Sequence, residues 1–227
     1  MGVHRPRVRT SVTSPLQTIG IMGAGRVGTA VARQALKSGL SVKIATSKPP
    51  ENIRLITEIV VPGAQAVTAA EAADADLTLI AIPLHRYRTL DARLFDGRTV
   101  IDAMNYWAAI DGELPDFESD PRTSSEVVQD HLVGAKVVKS LNHIGYHDME
   151  VHGRPAGDPR RRALAVASDH ADAATLVAAF IDRLGYDPVV ADRLAASRAF
   201  EPGSEIFKGA HTAEQMRSLL AAAKVSA

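Results

Sequence analysis

A glycine-punctuated turn, set between a short apolar run and an Ala- and Val-rich stretch, constrains this chain more than any other feature. Leu16 to Met22 (LQTIGIM) reads as a buried strand, Gly23-Ala24-Gly25-Arg26-Val27-Gly28 follows it, and the residues from Arg26 to about Ser38 have helical composition closed by Gly39. Glycines spaced in this way between a strand and a helix have a mechanical meaning. Gly23 permits the tight turn, Gly25 removes a side chain where a pyrophosphate would approach, and Gly28 lets the helix sit close on the strand. The helix N-terminus adds free N–H groups and a partial positive charge. The context predicts a dinucleotide site over Gly23, Ala24, Gly25, Arg26, Val27 and Gly28.

The rest of the chain repeats the alternation. Ser41–Ala45 reads as a second strand, Pro49 and Pro50 suit the first turn of a helix running to about Val60, and Ala64–Val67, Leu77–Ile82 and Thr99–Asp102 read as further strands separated by helices. Apolar residues make up 46% of the 227-residue sequence and aromatics only 4%, so the core must be built from Ala, Val, Leu and Ile, as buried parallel strands are. The expected class is α/β, a Rossmann-type doubly wound and mostly parallel sheet with a small C-terminal α/β extension.

Met104–Thr123 is acidic and aperiodic and reads as a long functional loop. Thr123 with Glu126 has the spacing of a capping box, and Lys136–Leu141 (KVVKSL) supplies a sixth strand. Gly153–Pro159 reads as a linker, after which Ala163–Ala167, Ala171–Leu184 and Pro188–Val190 form one more strand–helix–strand unit and the residues from Ser204 read as helical. These signals predict a solvated tail over residues 1–14, an NADP-binding domain over 15–155 and a smaller α/β subdomain over 156–227. The Ala-rich helix near Ala213–Ala223 could pack on a partner subunit, giving a homodimer, or on its own domain.

The end of the second strand selects the nucleotide. An NAD site places a carboxylate about 20 residues past the fingerprint to hold the ribose hydroxyls, whereas here Thr46, Ser47 and Lys48 occupy that place. Hydroxyls and an ammonium suit a 2′-phosphate, with Arg26 as a second cation, so NADP(H) is the expected cofactor. Ala81, Ile82 and Pro83 follow the fourth strand, where an open sheet places its ligand crevice, and are expected to flank the ribose and nicotinamide.

The stretches VIDAMNYWAAIDGE, SSEVVQDHL and GAKVVKSLNHI, together with the glycine turn, TSK, AIP and the closing DPVVADRLAASRAFEPG, resemble the NADPH-dependent reductases of the deazaflavin coenzyme F420. They are similar as well to the NADPH-oxidising domain of the STEAP metalloreductases. The resemblance implies that Asn142, His143 and Ile144 meet both the nicotinamide and an acceptor ring. It adds Asn105 and Ser125 as polar members of the site, and Leu194, Ser197, Arg198 and Glu201 as its closing segment. It implies hydride transfer between NADP(H) and a flavin-like small molecule, F420, FMN or FAD. The deazaflavin reductases carry a histidine directly after the loop leucine, whereas this chain has Asn142 there and His143 one place later. His143 could orient the acceptor, supply a proton to the reduced ring, or make structural hydrogen bonds alone.

Composition narrows the alternatives. Lys plus Arg equals Asp plus Glu at 26 each, which gives no field for nucleic acid or an acidic membrane surface. The chain has no cysteine, so disulfides and thiolate metal sites are excluded, and a cytoplasmic setting is the expectation. No run reaches the roughly 18 apolar residues of a membrane span, and the basic first fourteen residues lack the apolar core of a secretory signal. His143, His147 and His152 with Asp148 match no metal-ligand pattern, and no metal is expected. None of Tyr87, Tyr106, Tyr146 and Tyr186 has a lysine four places on, which argues against a short-chain alcohol dehydrogenase. An NADPH-binding sensor without turnover is the alternative from another class.

Overall fold

In the computed structural model, residues 16–225 are described, so the expected tail over 1–14 lies outside them. The chain runs β1 (Thr18–Met22), α1 (Arg26–Lys37), β2 (Ser41–Ala45), α2 (Pro50–Val60), β3 (Gln65–Ala66), α3 (Ala69–Ala73), β4 (Leu77–Ile80) and β5 (Thr99–Asp102). It continues α4 (Ala108–Asp111), α5 (Pro115–Glu118), α6 (Ser124–His131), β6 (Lys136–Lys139), α7 (Tyr146–Val151), β7 (Ala163–Ala167), α8 (Ala171–Arg183), β8 (Asp187–Ala191), α9 (Glu205–Lys208) and α10 (Ala213–Val225). Short 3₁₀ helices occupy Leu84–Thr89, Ala92–Phe95 and Leu194–Phe200.

One eight-stranded sheet carries the order β3-β2-β1-β4-β5-β6-β7-β8. Every pairing is parallel except β6 with β7. This is the expected Rossmann-type sheet, and the C-terminal strands β7 and β8 extend it rather than forming a separate one. The order reverses at β1, where Met22 pairs with Ala45 on one side and Ile80 on the other. Open sheets bind ligands at such a reversal.

Side-chain alternation along the strands supplies two faces. Ile19, Ile21, Val42, Ile44, Leu77, Leu79, Leu164 and Val166 pack with Ala30, Val31, Val177 and Phe180 of α1 and α8. Met22, Ala45, Ile80, Val100 and Val137 point to the other face and meet α3, α6 and the 3₁₀ turns. On that second face a third cluster joins Ala163, Ala165 and Val189 to Phe200 and to Met216 and Leu220 of α10, so α10 packs on its own chain. A Cβ at Gly20 would lie 1.9 Å from the Ala72 carbonyl oxygen, which shows how closely α3 presses on β1.

Several boundaries differ from those the sequence suggests. β4 ends at Ile80 and not Ile82: the Ala81 N–H makes the last ladder bond, to the Met22 carbonyl, and Pro83 then caps a 3₁₀ turn. β6 stops at Lys139 and not Leu141, because Leu141 has φ of 62° and leaves extended geometry. β3 keeps only two of its expected four residues, and the helical segment expected between β4 and β5 takes the form of two short 3₁₀ helices. Met104–Thr123 is no open loop: it folds into α4 and α5, with Tyr106 stacked on Phe117 at 5.5 Å. The Thr123–Glu126 capping box forms as the spacing indicates.

Candidate active site

The glycine turn sits on the C-terminal end of β1. Gly23 has φ of +117°, and a Cβ there would meet the Ala81 carbonyl oxygen at 2.4 Å, so the turn and the segment after β4 are in direct contact. At Gly28 a Cβ would meet the Gly23 carbonyl oxygen at 2.0 Å, which is the close helix–strand approach. Gly25 differs, since a Cβ there finds nothing within 4 Å: the space over it is open. Gly25 is also the N-cap of α1, whose first turn has no side-chain cap and no acidic residue. Open space, uncapped N–H groups and no competing carboxylate fit a dinucleotide pyrophosphate.

Thr46, Ser47 and Lys48 follow β2 at the next strand end, half-buried at Thr46 and exposed at Ser47 and Lys48. The Thr46 hydroxyl accepts the Lys48 N–H at 3.1 Å, which tightens the turn and leaves the ammonium in solvent. Arg26 is exposed, and its guanidinium lies 5.5 Å from the ring centroid of Tyr146 and donates to its hydroxyl at 3.4 Å. Its partner in this structure is α7. Ala81 and Ile82 are half-buried and Pro83 is exposed on the far side of the glycine turn.

Asn105, Asn142 and His143 form one knot. The Asn105 amide donates to the Asn142 carbonyl at 2.8 Å, and the Asn142 amide donates both to Asn105 Oδ1 at 3.0 Å and to the Phe200 carbonyl at 2.9 Å. Asn142 Oδ1 lies 3.1 Å from His143 Nδ1, and His143 Nε2 accepts the Ala165 N–H of β7 at 3.0 Å. The Nδ1 atom therefore carries the proton. Burial, then the charges of Arg162, Lys139 and His211, push the His143 pKa down to about 3, so the ring is neutral at physiological pH. Both ring nitrogens of His143 thus have partners within the protein. Ile144 is buried beside it. Leu141, which opens this loop, is the one non-glycine residue with positive φ among the described residues, and backbone strain of this kind collects at functional sites.

Beneath the knot lies a charged pair that the motif reading does not single out. Asp102 and Lys139 are register partners at the ends of β5 and β6, both fully buried, with Nζ to Oδ2 at 3.3 Å. Asp102 also accepts the Ser125 hydroxyl at 2.6 Å and the Met104 N–H at 2.9 Å, while Lys139 donates to the Met104 carbonyl. These bonds hold the turn that carries Asn105. Opposite charges ending two adjacent apolar strands, in TVID and KVVK, are the sequence signal for it.

The closing segment reaches the same place. Glu201 accepts both the N–H and the hydroxyl of Ser124 at 2.9 Å, which ties it to the start of α6. Leu194 and Ser197 are buried, the Phe200 ring lies 5.0 Å from that of His143, and Arg198 donates to the Pro121 carbonyl. The remaining histidines disperse: His147 packs on Tyr146 and His152 lies beside Asp148. Among the described residues no group of three or more His, Asp or Glu side chains is arranged to hold a metal ion. None of the described helices is long and apolar enough to cross a membrane.

Residues 18–106 match the family model described as NADP oxidoreductase, coenzyme F420-dependent. No curated protein matches the sequence. Among solved structures, protein SMa0349 of Sinorhizobium meliloti is 28% identical with a TM-score of 0.74, over 86% of this chain and 95% of that one. A protein of Arthrobacter sp. FB24 described as a candidate F420-dependent NADP-reductase is 23% identical with a TM-score of 0.68, over 81% and 88%. The 1-pyrroline-5-carboxylate reductase of Streptococcus pyogenes, 13% identical with a TM-score of 0.55 over 80% and 61%, shares the fold.

Proposed function

We propose that this chain, whose residues 18–106 match the model of the F420-dependent NADP oxidoreductases, passes a hydride between NADP(H) and a flavin-like acceptor, the deazaflavin F420 or a flavin. The observation that carries this reading is the side-chain knot at Asn105, Asn142 and His143, in which the polar side-chain groups of Asn142 and His143 are spent on the protein itself. A dehydrogenase acting on an alcohol or ketone needs a side chain free to exchange a proton with substrate. Transfer between two ring carbons needs the rings held face to face with water excluded.

In this reading the backbone over Gly25 receives the pyrophosphate, and Thr46, Ser47 and Lys48 receive the 2′-phosphate. Ala81, Ile82 and Pro83 form one wall of the nicotinamide site, and the Asn142–Ile144 loop forms the other. When bound, the nicotinamide supplies or accepts the hydride. The chain's own residues fix the geometry: the Asp102–Lys139 pair sets the turn before Asn105, and Asn105 with Phe200 sets Asn142. The similarity to the Arthrobacter protein described as a candidate F420-dependent NADP-reductase supports F420 as one acceptor to try.

The test mixes purified protein with NADPH and, in turn, F420, FMN, FAD and a ferric chelate, and follows the nicotinamide absorbance band. Oxidation with F420 or a flavin is the expected result. Tight NADPH binding without oxidation by any acceptor would instead mark a sensor that performs no turnover.

A further inference from the structure

The 3₁₀ helix Leu194–Phe200 has two faces. Leu194, Ser197 and Phe200 recur every third residue, as 3₁₀ geometry requires of one face, and all three are buried against the sheet. The other face, Ala195, Ala196, Arg198 and Ala199, lines a groove of about 860 Å³ whose far wall is Leu220, Ala223 and Lys224 of α10. A smaller hollow of about 130 Å³ shares Ala196, Leu220 and Lys224 with it and continues over Val189, Val190 and Ala191. The groove thus has small apolar residues along its floor and an extension at β8 that Arg217 and Lys224 flank.

Its rim is cationic. Arg122, Arg193, Arg198 and Lys224 line it against two acids, Asp192 and Glu126. Lys224 pairs with Asp192, Arg122 pairs with Asp120 and Asp130, and a carboxylate oxygen of Glu126 is held by Thr123 in the capping box. Arg193 and Arg198 make no ion pair with a carboxylate among the described residues, although Lys224 and then the charge of Arg193 lower the pKa of Asp192, and the Arg198 guanidinium donates to the Pro121 carbonyl. Two cations outside any ion pair beside an apolar trough suit a ligand with one anionic head and an apolar body.

We propose that this groove binds a small amphipathic anion, with its head between Arg193 and Arg198 and its chain along Ala196 and Leu220 toward Val190. Such a ligand would press on the outer face of a segment whose inner end holds Asn142 through the Phe200 carbonyl, at 2.9 Å. Occupancy would therefore be felt at the Asn142 loop. This inference stands apart from the proposed hydride transfer, because its test requires binding and no turnover.

Decanoate, below its micelle concentration, is titrated calorimetrically into the full chain, with decyltrimethylammonium as the opposite-charge control. Saturable one-to-one binding of decanoate alone is expected. Arg193→Glu with Arg198→Glu should weaken it by about tenfold or more, the loss of charge-assisted contacts. Ala196→Trp, which fills the groove without changing charge, should abolish it in a variant whose thermal unfolding stays cooperative. Saturating decanoate should also move the Asn142 side-chain amide signal in an ¹⁵N spectrum. Four results would each overturn the proposal: no saturable heat, equal binding of the cationic control, affinity indifferent to both variants, or displacement of decanoate by NADP⁺. Binding with an unmoved Asn142 signal would overturn the coupling to the loop, and sedimentation showing a dimer that occludes the groove would assign it to a second copy.

Discussion

A single methyl group at Gly28 would lie 2.0 Å from the carbonyl oxygen of Gly23, a backbone atom that cannot swing aside. Gly28→Ala should therefore lift α1 off the turn, destabilise the chain by about 1–3 kcal/mol and remove NADP⁺ binding, as read by urea unfolding and calorimetry. Gly25→Ala meets open space, so it should leave stability nearly unchanged while weakening the same binding. Thr46→Asp with Lys48→Ala should weaken NADPH far more than NADH, since it removes an ammonium and adds a carboxylate facing the 2′-phosphate; equal losses for both would defeat the NADP assignment. His143 has its own signature. Its folded pKa of about 3 lies below the reference 6.5, so the unfolded chain binds the extra proton. The stabilisation is fully present above pH 6.5 and is lost as pH falls from there toward 3, at up to about 1.4 kcal/mol per pH unit. His143→Gln should flatten that part of the stability–pH curve, and coincident curves for the two proteins would show that another group is responsible.

Between elements, the decisive contact is the Asp102–Lys139 pair that bridges the ends of β5 and β6. Lys139→Met leaves a buried carboxylate without its cation and should cost about 3–5 kcal/mol, whereas the double variant Asp102→Asn, Lys139→Met should recover much of that loss because no buried charge remains. The same pair shows where the sequence stops being readable. Glycines, strand periods and the Thr123–Glu126 cap are local signals, and β2, β5, β7 and the α6 start fall where those signals place them. The ends of β4 and β6 do not, since the chain leaves extended geometry before Pro83 and at Leu141, which has φ of 62°. The acidic stretch after Met104 lacks a period, yet Tyr106, Phe117 and Tyr87 pack there and fold it.

For the whole molecule, the C-terminal strands complete the sheet. β7 pairs antiparallel with β6, Ala165 donates to His143, and Ser140 donates to the Ala165 carbonyl at 2.7 Å. A chain ending at residue 155 would leave β6 as an open edge and would uncover Val138, Leu141 and Ile144, which pack in one cluster with Leu164, Val166 and Val177. Such a truncation should show no cooperative urea transition, while the full chain should unfold in one step. Two separate transitions in the full chain would mean that residues beyond 155 fold as an independent unit.

The amino-acid sequence alone determined the class of fold, the position of the glycine turn and the absence of an acid after β2, because each depends on residues close together along the chain. Only the tertiary structure decided which atoms Asn142 and His143 bond to. Their partners, Asn105, Phe200 and Ala165, lie 37, 58 and 22 residues away. A loop side chain that faces a ligand and one that is spent on the protein look the same until those distant atoms are brought within hydrogen-bonding distance.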